Sequence, residues 1–384
     1  MAQRTVMLAV AGAGKTYFIC NNIDPNKKNL ILAYTRENVR IIKEELVKAF
    51  GGIPDMTNIL TFDAFVYRFL LRPYEPSILR YFNRLGFRNN GITMRDPPPQ
   101  RIDVKNKGQK RNIANPMYKG KDCFEHYIDE IGQYYCANLS ELIMEVKENR
   151  VKLIQKAGQM INQFFDQIMI DEFQDYREHD YDLIIALSKY LDNALFVGDF
   201  YQHSVSATNN SGKPFSLRAK EGGKRVISYD EYKETLKKAK FTVDETILSK
   251  TRRCSKQVCG FVREKLGIPI SSFDNHESEV IWVNDCPNEV LEDDSILKLV
   301  EKNTNAYKFS SFNWSYSKGI TREKVCVILT KNLERLYEDD FDCSSIAPVT
   351  LNKLYVALTR AKGDLYIMRE SVFSAVKDSY LIKE

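Results

Sequence analysis

A run of small residues near the beginning of the sequence has the composition of a phosphate-binding loop. Residues 9–16 read AVAGAGKT; they follow an apolar stretch and lead into a helical pattern. Backbone N–H groups of such a loop can surround phosphate oxygens, and the positive N-terminus of the following helix attracts the same charge. The pattern predicts that Lys15 reaches the β- and γ-phosphates of a nucleotide and that Thr16 binds Mg²⁺. The candidate phosphate-binding residues are Ala11, Gly12, Ala13, Gly14, Lys15 and Thr16.

Two adjacent carboxylates, Asp171 and Glu172, directly follow the apolar residues 168–170. An apolar strand that ends in such a pair suits a magnesium site facing a nucleotide. Asp171 would hold the metal, and Glu172 would polarise the attacking water. Taken alone, an acidic pair after a strand is more often a turn or a helix start. Its combination with the phosphate-binding loop favours the nucleotide site.

The elements that would position these residues form an alternating pattern. Short apolar runs alternate with amphipathic helical segments, which predicts an α/β fold with mostly parallel sheets. Apolar residues at positions 39, 42, 46 and 49 predict a helix over 37–50. The predicted strands are 30–33, 58–61, 168–170, 195–197, 280–283, 325–329 and 365–368.

One stretch after the three prolines at 97–99 is rich in basic residues and poor in acids. It reads either as a solvated loop or as an arm that guides a nucleic-acid strand, and the sequence leaves both interpretations open. The basic residues are Lys105, Lys107, Lys110, Arg111, Lys119 and Lys121.

Composition excludes several classes of protein. The 384 residues are 43% hydrophobic and 28% charged, which is typical of folded domains. No apolar run approaches the roughly 20 residues that a membrane-spanning helix needs, so we expect no membrane partner. The eight cysteines lack zinc-site spacing, which favours reduced thiols and a cytoplasmic location. The net charge of +5 permits nucleic-acid binding without requiring it.

These motifs, with others in the same order, resemble the motifs of superfamily 1 helicases of the UvrD/Rep type. Eight motifs in the order of the family are far more specific than any one of them. The resemblance implies two tandem RecA-like P-loop domains with parallel sheets and a nucleotide in the cleft between them. The segments similar to motifs I, Ia, Ib, II, III, IV, V and VI are 11–16, 33–38, 61–65, 171–175, 197–202, 248–253, 317–319 and 354–362.

The resemblance assigns roles around ATP and Mg²⁺. Glu172 is the catalytic carboxylate, Gln202 senses the γ-phosphate and Arg253 contacts phosphate. Arg360 matches an arginine finger supplied by the second domain. Two further residues are expected in the nucleotide site, Gly319 and Arg252; Arg252 stands where the family usually has a tyrosine that stacks on adenine.

The resemblance also implies a nucleic-acid partner, single-stranded DNA rather than RNA. Tyr34 and Thr35 lie in the segment similar to motif Ia, and Thr61 and Phe62 lie in the one similar to motif Ib. Tyr201 is the remaining candidate. Aromatic residues belong to a hydrophobic core more often than to a base-stacking platform. The rings of Tyr34, Phe62 and Tyr201 can therefore each be interpreted as a core residue or as a base-stacking residue.

We expect a first RecA-like domain over 1–228, with a small accessory insertion at about 74–165, and a second over 229–384. The segment 254–316, between motifs IV and V, is too short for the large insertion of full-size members. Thr321 stands where UvrD-like proteins carry glutamate, which leaves the direction of movement open, although 3′ to 5′ is expected.

Two functions from different classes fit these observations. The first is an ATP-dependent DNA helicase or translocase. The second is a nucleic-acid-stimulated ATPase switch or motor subunit with little unwinding of its own, acting in a nuclease-containing complex of a mobile element or an antiphage system. The expected protein partner is a nuclease or a replication or repair protein.

Overall fold

The computed structural model describes residues 3–106, 109–203, 212–218 and 224–382. Six parallel strands form the first of two large sheets. These strands are β1 (Gln3–Leu8), β2 (Asn29–Ala33), β3 (Thr57–Thr61), β4 (Gln167–Ile170), β5 (Asn193–Gly198) and β6 (Thr242–Asp244). Their order across the sheet is β6-β1-β5-β4-β2-β3.

Three central strands of this sheet end in the segments that the sequence singled out. The phosphate-binding loop follows β1, the acidic pair follows β4, and residues 199–202 follow β5, which lies between them. Because all three strands are parallel, their carboxyl ends meet at one edge of the sheet. The fold therefore collects these segments in one place.

A second sheet of five parallel strands follows in the chain. Its strands are β7 (Val280–Val283), β8 (Ile296–Val300), β9 (Ser311–Asn313), β10 (Lys324–Ile328) and β11 (Leu365–Met368). Their order is β7-β11-β10-β8-β9. The predicted α/β fold with parallel sheets is confirmed, as are all seven predicted strands; β6, β8 and β9 were not predicted.

The α-helices of the described residues lie between these strands and in the connection from β3 to β4. They are α1 (Lys15–Asn21), α2 (Arg36–Phe50), α3 (Phe62–Phe65), α4 (Glu75–Tyr81), α5 (Leu139–Glu145), α6 (Leu153–Phe164), α7 (Glu178–Ser188), α8 (Tyr229–Lys238), α9 (Lys256–Leu266), α10 (Pro287–Glu292), α11 (Pro348–Leu358) and α12 (Glu370–Tyr380).

Helix α2, which was predicted over 37–50, shows how local sequence sets these bounds. At its start, Thr35 Oγ1 accepts a hydrogen bond of 3.1 Å from the Asn38 N–H. At its end, Gly51 adopts a φ of 74°, the left-handed conformation that glycine tolerates. The apolar stripe buries Ile42 and Leu46 completely. Because α2 follows β2, which pairs with β4, the helix begins near the end of β4.

Both faces of the first sheet are buried, so alternate residues of a strand enter different cores. Val6 and Leu8 of β1 join the core shared with the β3–β4 connection, whereas Met7 faces the opposite core. That second core continues through α9 and α11 to Val325 and Leu365 of the second sheet. The two sheets are thus joined by continuous apolar packing.

The connection between β3 and β4 contains an antiparallel hairpin, Arg101–Asn106 paired with Gln109–Ala114. The interpretation of this basic stretch as a loop is therefore wrong for 101–106 and 109–114. Ile102 and Val104 alternate with polar residues, the period of a strand, and the prolines obscured that pattern. Arg111, Lys119 and Lys121 are exposed. Lys107 lies outside the described residues, as do the side chains of Lys105 and Lys110.

The predicted domain boundary at residue 228 stays a prediction. The first sheet includes β6, so its strands favour a division after Asp244. Across the described ranges, no helix combines the length and the apolar character that crossing a membrane requires.

Candidate nucleotide and nucleic-acid cleft

The loop between β1 and α1 is folded tightly against the segment before α9. Gly12 and Gly14 have φ values of 72° and 86°. A Cβ on Gly12 would lie 2.6 Å from Thr251 Oγ1 and 2.7 Å from Arg253 Cβ, so only glycine fits there. The Arg252 N–H donates a 2.9 Å hydrogen bond to the Gly12 carbonyl. This contact brings Arg253 to the loop.

Lys15 and Thr16 begin α1 and meet the acidic pair. Lys15 Nζ lies 3.4 Å from Glu172 Oε1, and Thr16 Oγ1 donates a 2.7 Å hydrogen bond to Asp171 Oδ2. Glu172 has a φ of 52° and a ψ of 47°, which a non-glycine residue adopts at a cost of about 1–3 kcal/mol. Such backbone strain is typical of functional sites, where it fixes the direction of a side chain, here that of Glu172.

The electrostatics of this group follow from its burial. Burial lowers the pKa of Lys15, but Glu172, Asp199 and Asp171 outweigh it, so the pKa is raised overall. Burial raises the pKa of Glu172, but Lys15 and Lys318 outweigh it, so this carboxylate has a lowered pKa. Burial and the neighbouring Glu172 raise the pKa of Asp171 to about 7. Lys15 and Glu172 thus stabilise each other's charged forms, whereas burial and Glu172 disfavour the charged form of Asp171.

Mg²⁺ fits the donors that this group presents. The Thr16 hydroxyl and the Asp171 carboxylate are hard oxygen ligands, already in mutual contact. The described residues contain no cluster of three or more His, Cys, Asp or Glu side chains able to hold a metal. Mg²⁺ in phosphoryl-transfer sites needs no such cluster, because substrate phosphates and water supply the remaining ligands.

Arg360 and Arg253 approach the same place from the side of the second sheet. Arg360 is 1% exposed, and its guanidinium donates to the Val356 and Ser317 carbonyls and to Thr359 Oγ1, at 2.7, 3.3 and 3.2 Å. Arg253 Nη1 donates to the Thr359 carbonyl at 3.1 Å. Burial, and then the charge of Arg253, lower the pKa of Arg360 to about 9. Neither arginine forms an ion pair with any described residue.

Direct contacts hold the two sides of the site together. Tyr355 of α11 accepts a 2.9 Å hydrogen bond from the Ala11 N–H and donates one of 3.3 Å to Asp199 Oδ2. Lys318 Nζ lies 2.7 Å from Asp175 Oδ1. The sequence assigned no role to four of these residues, although all four lie in the segments that resemble motifs. They are Tyr355, Asp199, Lys318 and Asp175. Their partners are more than 140 positions away, so no spacing could reveal them.

The charged side chains of both sides, from Lys15 and the acidic pair to Arg253 and Arg360, line one cleft of about 1630 Å³. We call the side formed by the loops of the first sheet the first wall; it consists of Gly12, Gly14, Lys15, Thr16, Asp171, Glu172, Asp175 and Gln202. We call the opposite side, on the side of the second sheet, the second wall; it consists of Arg253, Lys318, Gly319 and Arg360.

Of three further residues predicted for the nucleotide site, two line the cleft and one does not. Gln202 is 4% exposed on a 3-10 turn after β5 and lines the cleft. Gly319 also lines it, with a φ of 82°. The side chain of Arg252 does not line the cleft: it is exposed, and its guanidinium lies 4.2 Å from the centre of the Phe273 ring.

The predicted strand-binding residues do not converge in the same way. Tyr34 lines the cleft and is 47% exposed, with its ring edge-on to Tyr176. Thr35 caps α2 and also lines the cleft. Thr61 Oγ1 caps α3, accepting from an N–H at 3.3 Å. Phe62 is 3% exposed and packs on Tyr176, so no base can stack on it in this conformation.

Tyr201 belongs to an aromatic cluster rather than to an open platform. Its ring stacks on Tyr229 at 5.5 Å and lies 6.0 Å from the ring of Tyr355. Among the predicted aromatic candidates, Tyr34 is therefore the ring with the largest exposed surface.

One comparison with known protein families matches part of the chain. Residues 98–204 match the family model described as the UvrD/REP helicase N-terminal domain, a stretch that contains Asp171, Glu172 and Gln202. No curated protein sequence matches the chain.

Two solved structures cover 96% of this chain at low similarity. One is arterivirus nonstructural protein 10, a helicase in complex with DNA, with a TM-score of 0.43 and 11% identity. The other is the PRRSV helicase, with a TM-score of 0.42 and 12% identity. The chain spans 60% and 52% of their lengths, respectively. The family match thus confirms, over the residues that it covers, the resemblance to superfamily 1 helicases of the UvrD/Rep type.

Proposed function

We propose that the chain is an ATP-dependent motor of the UvrD/Rep helicase type, which binds single-stranded DNA and couples ATP hydrolysis to movement in the 3′ to 5′ direction. One observation carries the proposal: Lys15, Asp171 and Glu172 on one wall and Arg253 and Arg360 on the other line a single cleft. Phosphoryl transfer needs charge neutralisation on both sides of the γ-phosphate, and these residues supply it.

Each side chain has a task in this reaction. Lys15 neutralises the β- and γ-phosphates, and Glu172, which remains ionised, orients the attacking water and accepts its proton. Arg253 and Arg360 stabilise the negative charge that grows on the transferred group. Thr16 and Asp171 would hold Mg²⁺, which supplies further charge neutralisation when bound.

Movement follows from the position of the site between the walls. Hydrolysis and product release change the negative charge that the arginines of the second wall contact, and so change how tightly the cleft closes. A strand that contacts both sides would then be moved by cycles of closure. The contacts of Tyr355 and Lys318 across the cleft are the parts of the structure that must adjust.

The test is ATP hydrolysis by the purified chain, alone and with single-stranded DNA, single-stranded RNA or duplex DNA. We expect single-stranded DNA to give the strongest stimulation, and Lys15→Ala to abolish hydrolysis under every condition. A rate of ATP hydrolysis that stays the same with every nucleic acid would contradict the proposal of a nucleic-acid motor.

A second candidate is a motor subunit that hydrolyses ATP but unwinds little by itself. The hairpin at 101–114 offers exposed basic side chains, and flexible cations guide a strand without forming a rigid wedge. Displacement of a short labelled strand from duplexes with 3′ or 5′ tails separates the two candidates. Rapid hydrolysis with little displacement supports the subunit, whereas processive unwinding excludes it. The preferred tail tests the direction.

A further inference from the structure

Arg177 lies at the start of α7, in the lining of the cleft, and carries two terminal guanidinium nitrogens, Nη1 and Nη2. It is 9% exposed, and within the described part of the chain neither Nη1 nor Nη2 has a hydrogen-bond partner. Both nitrogens are also shielded from solvent. A guanidinium stays charged, so an unpaired, buried one is costly. The arrangement favours an anion that is not part of the described chain.

The neighbouring carboxylates lie close enough to act on this charge, but among the described residues neither accepts a hydrogen bond from Nη1 or Nη2 of Arg177. Asp175 forms its ion pair with Lys318, and Glu178 accepts a 2.6 Å hydrogen bond from the Gly212 N–H. The guanidinium of Arg177 instead lies 5.4 Å from the centre of the Phe215 ring. Burial lowers the pKa of Arg177, and the charges of Asp175 and Glu178 only partly oppose this.

The surroundings of Arg177 indicate which anion this is. Tyr34 lines the same cleft, and its ring is close enough for Arg177 to act on its hydroxyl: burial and nearby carboxylates raise the pKa of Tyr34 to about 12, and Arg177 opposes that rise. A half-exposed aromatic ring beside a cation matches the two parts of one nucleotide unit of a strand, a base and a phosphate.

We propose that Arg177 binds a backbone phosphate of a single-stranded nucleic acid whose adjacent base contacts Tyr34. The inference rests on the proposed function in taking a strand as the ligand. Because both guanidinium nitrogens are covered here, the phosphate reaches them when the cleft wall shifts. Strand binding is thereby linked to a change in the shape of the cleft.

The position of Arg177 connects this site to hydrolysis. It is two residues from Asp175, which pairs with Lys318 of the second wall, and five residues from Glu172. A phosphate at Arg177 therefore acts on the segment that carries the catalytic carboxylate. This gives stimulation by nucleic acid a physical basis.

A second route of contacts leads from Arg177 to α11. Phe215, which contacts Arg177, stacks on His203 with ring centres 4.0 Å apart. His203 Nε2 lies 3.0 Å from Asn352 Nδ2 of α11, the helix that directly precedes Arg360. Both walls of the nucleotide site are thus within two or three contacts of the proposed phosphate.

The experiment measures binding of a fluorescent oligothymidylate by anisotropy, without ATP, over a series of salt concentrations. Arg177→Gln should weaken binding about tenfold or more at low salt, because a charge-assisted contact is lost. It should also reduce the slope of log K against log salt by about 0.7, the value for one phosphate of a single strand. Arg177→Lys should keep the slope. The matched control is Arg335→Gln, which removes a 68% exposed cation far from the cleft lining and should change neither quantity.

Three outcomes would overturn the inference. An unchanged affinity and slope in Arg177→Gln would mean that Arg177 finds its partner within the protein, for example by moving to Asp175. A loss of affinity for a fluorescent ATP analogue with strand binding intact would assign Arg177 to the nucleotide. Inorganic phosphate that raises the unfolding temperature of the wild type but not of Arg177→Gln, again with strand binding intact, would assign it to free phosphate.

A second measurement covers the case in which Arg177→Gln does not fold. An oligothymidylate that carries photoreactive 4-thiothymidine is cross-linked to the wild-type chain, and the peptides are mapped by mass spectrometry. Cross-links to the peptides containing Tyr34 or Arg177 support the inference, and cross-links confined to other peptides contradict it. Because neither measurement contains ATP, strand binding through Arg177 by a chain that does not hydrolyse ATP would overturn the proposed function alone.

Discussion

The two walls of the cleft satisfy their charges in opposite ways. On the first wall, Lys15 pairs with Glu172 and Thr16 bonds to Asp171, so the charged groups largely neutralise one another. On the second wall, the hydrogen-bond partners of Arg360 among the described residues are all neutral oxygens, and the pKa of its guanidinium is lowered. Lys15 thus has a counter-charge before a ligand binds, whereas Arg253 and Arg360 form no ion pair with any described residue.

This difference separates two tasks. The first wall can hold its geometry before a nucleotide arrives, so we expect it to govern phosphate binding and the activation of water. The arginines of the second wall gain their counter-charge only from the ligand, so we expect them to respond to the charge of the transition state. Substitutions on the two walls should therefore produce different kinetic patterns.

The largest effect is expected on the first wall. Glu172→Gln removes the carboxylate that accepts a proton from water, while the amide preserves the shape of the side chain. Hydrolysis should fall about 10²- to 10⁴-fold, the usual contribution of a positioned base, while the affinity for a fluorescent ATP analogue is retained. Steady-state hydrolysis in the presence of single-stranded DNA and equilibrium binding of the analogue measure the two quantities.

Two further variants make this result specific. Lys15→Ala should lose nucleotide affinity as well as turnover, because it removes the phosphate-binding charge. Glu245→Gln, a surface carboxylate paired with Lys233, should change neither. Hydrolysis at the wild-type rate in Glu172→Gln would show that the acidic pair has another role.

The next effect, on the second wall, should appear in turnover alone. Arg360→Ala removes a cation that contacts the transferred group, and loss of one arginine finger costs on the order of 10³-fold in rate. Nucleotide affinity should be nearly preserved, which distinguishes this variant from Lys15→Ala. Single-turnover hydrolysis provides the measurement, and the exposed Arg335→Ala provides the control. A parallel loss of affinity in Arg360→Ala would erase the distinction between the walls.

Sequence reasoning succeeded where the chemistry is local. The loop at 9–16 and the carboxylates after β4 follow from residue types at fixed spacing, and parallel strands bring their ends together. Apolar runs likewise predicted seven of the strands. These features depend on a few neighbouring residues, so they can be read before the fold is known.

Sequence reasoning was weaker where the role of a residue depends on its exposure or on contacts with residues far away in the chain. Tyr34 and Phe62 both lie edge-on to Tyr176, yet one is 47% and the other 3% exposed. The bond from the Ala11 N–H to Tyr355 joins residues 344 positions apart. No local pattern encodes either fact, because both arise from how the sheets and their helices pack.

A smaller effect should come from Tyr34, which lies in the same cleft but outside the charged group. Stacking on one aromatic residue contributes about 1–3 kcal/mol per base, so Tyr34→Ala should weaken single-strand binding about tenfold or more. Nucleotide affinity without a strand should depend on Lys15 instead. Oligonucleotide anisotropy measures the change. Tyr337→Ala is a matched control, since that ring is 46% exposed and does not line the cleft. If Tyr34→Ala and Tyr337→Ala changed the affinity for the oligonucleotide equally, Tyr34 would not be part of the strand-binding site.

The smallest expected effect concerns the nucleotide base, near the second wall. Arg252 is held to the phosphate-binding loop through the Gly12 carbonyl, and its guanidinium lies over the Phe273 ring, which is 56% exposed. Neither side chain lines the cleft, so neither is placed to read the hydrogen-bonding pattern of a base there. GTP and CTP should therefore support hydrolysis within about tenfold of the ATP rate, a difference of at most about 1.4 kcal/mol in activation free energy. Competition among the four nucleotides measures this. A strict preference for ATP would mean that a residue other than Arg252 and Phe273 reads the ring, and that the second wall contributes selectivity as well as charge.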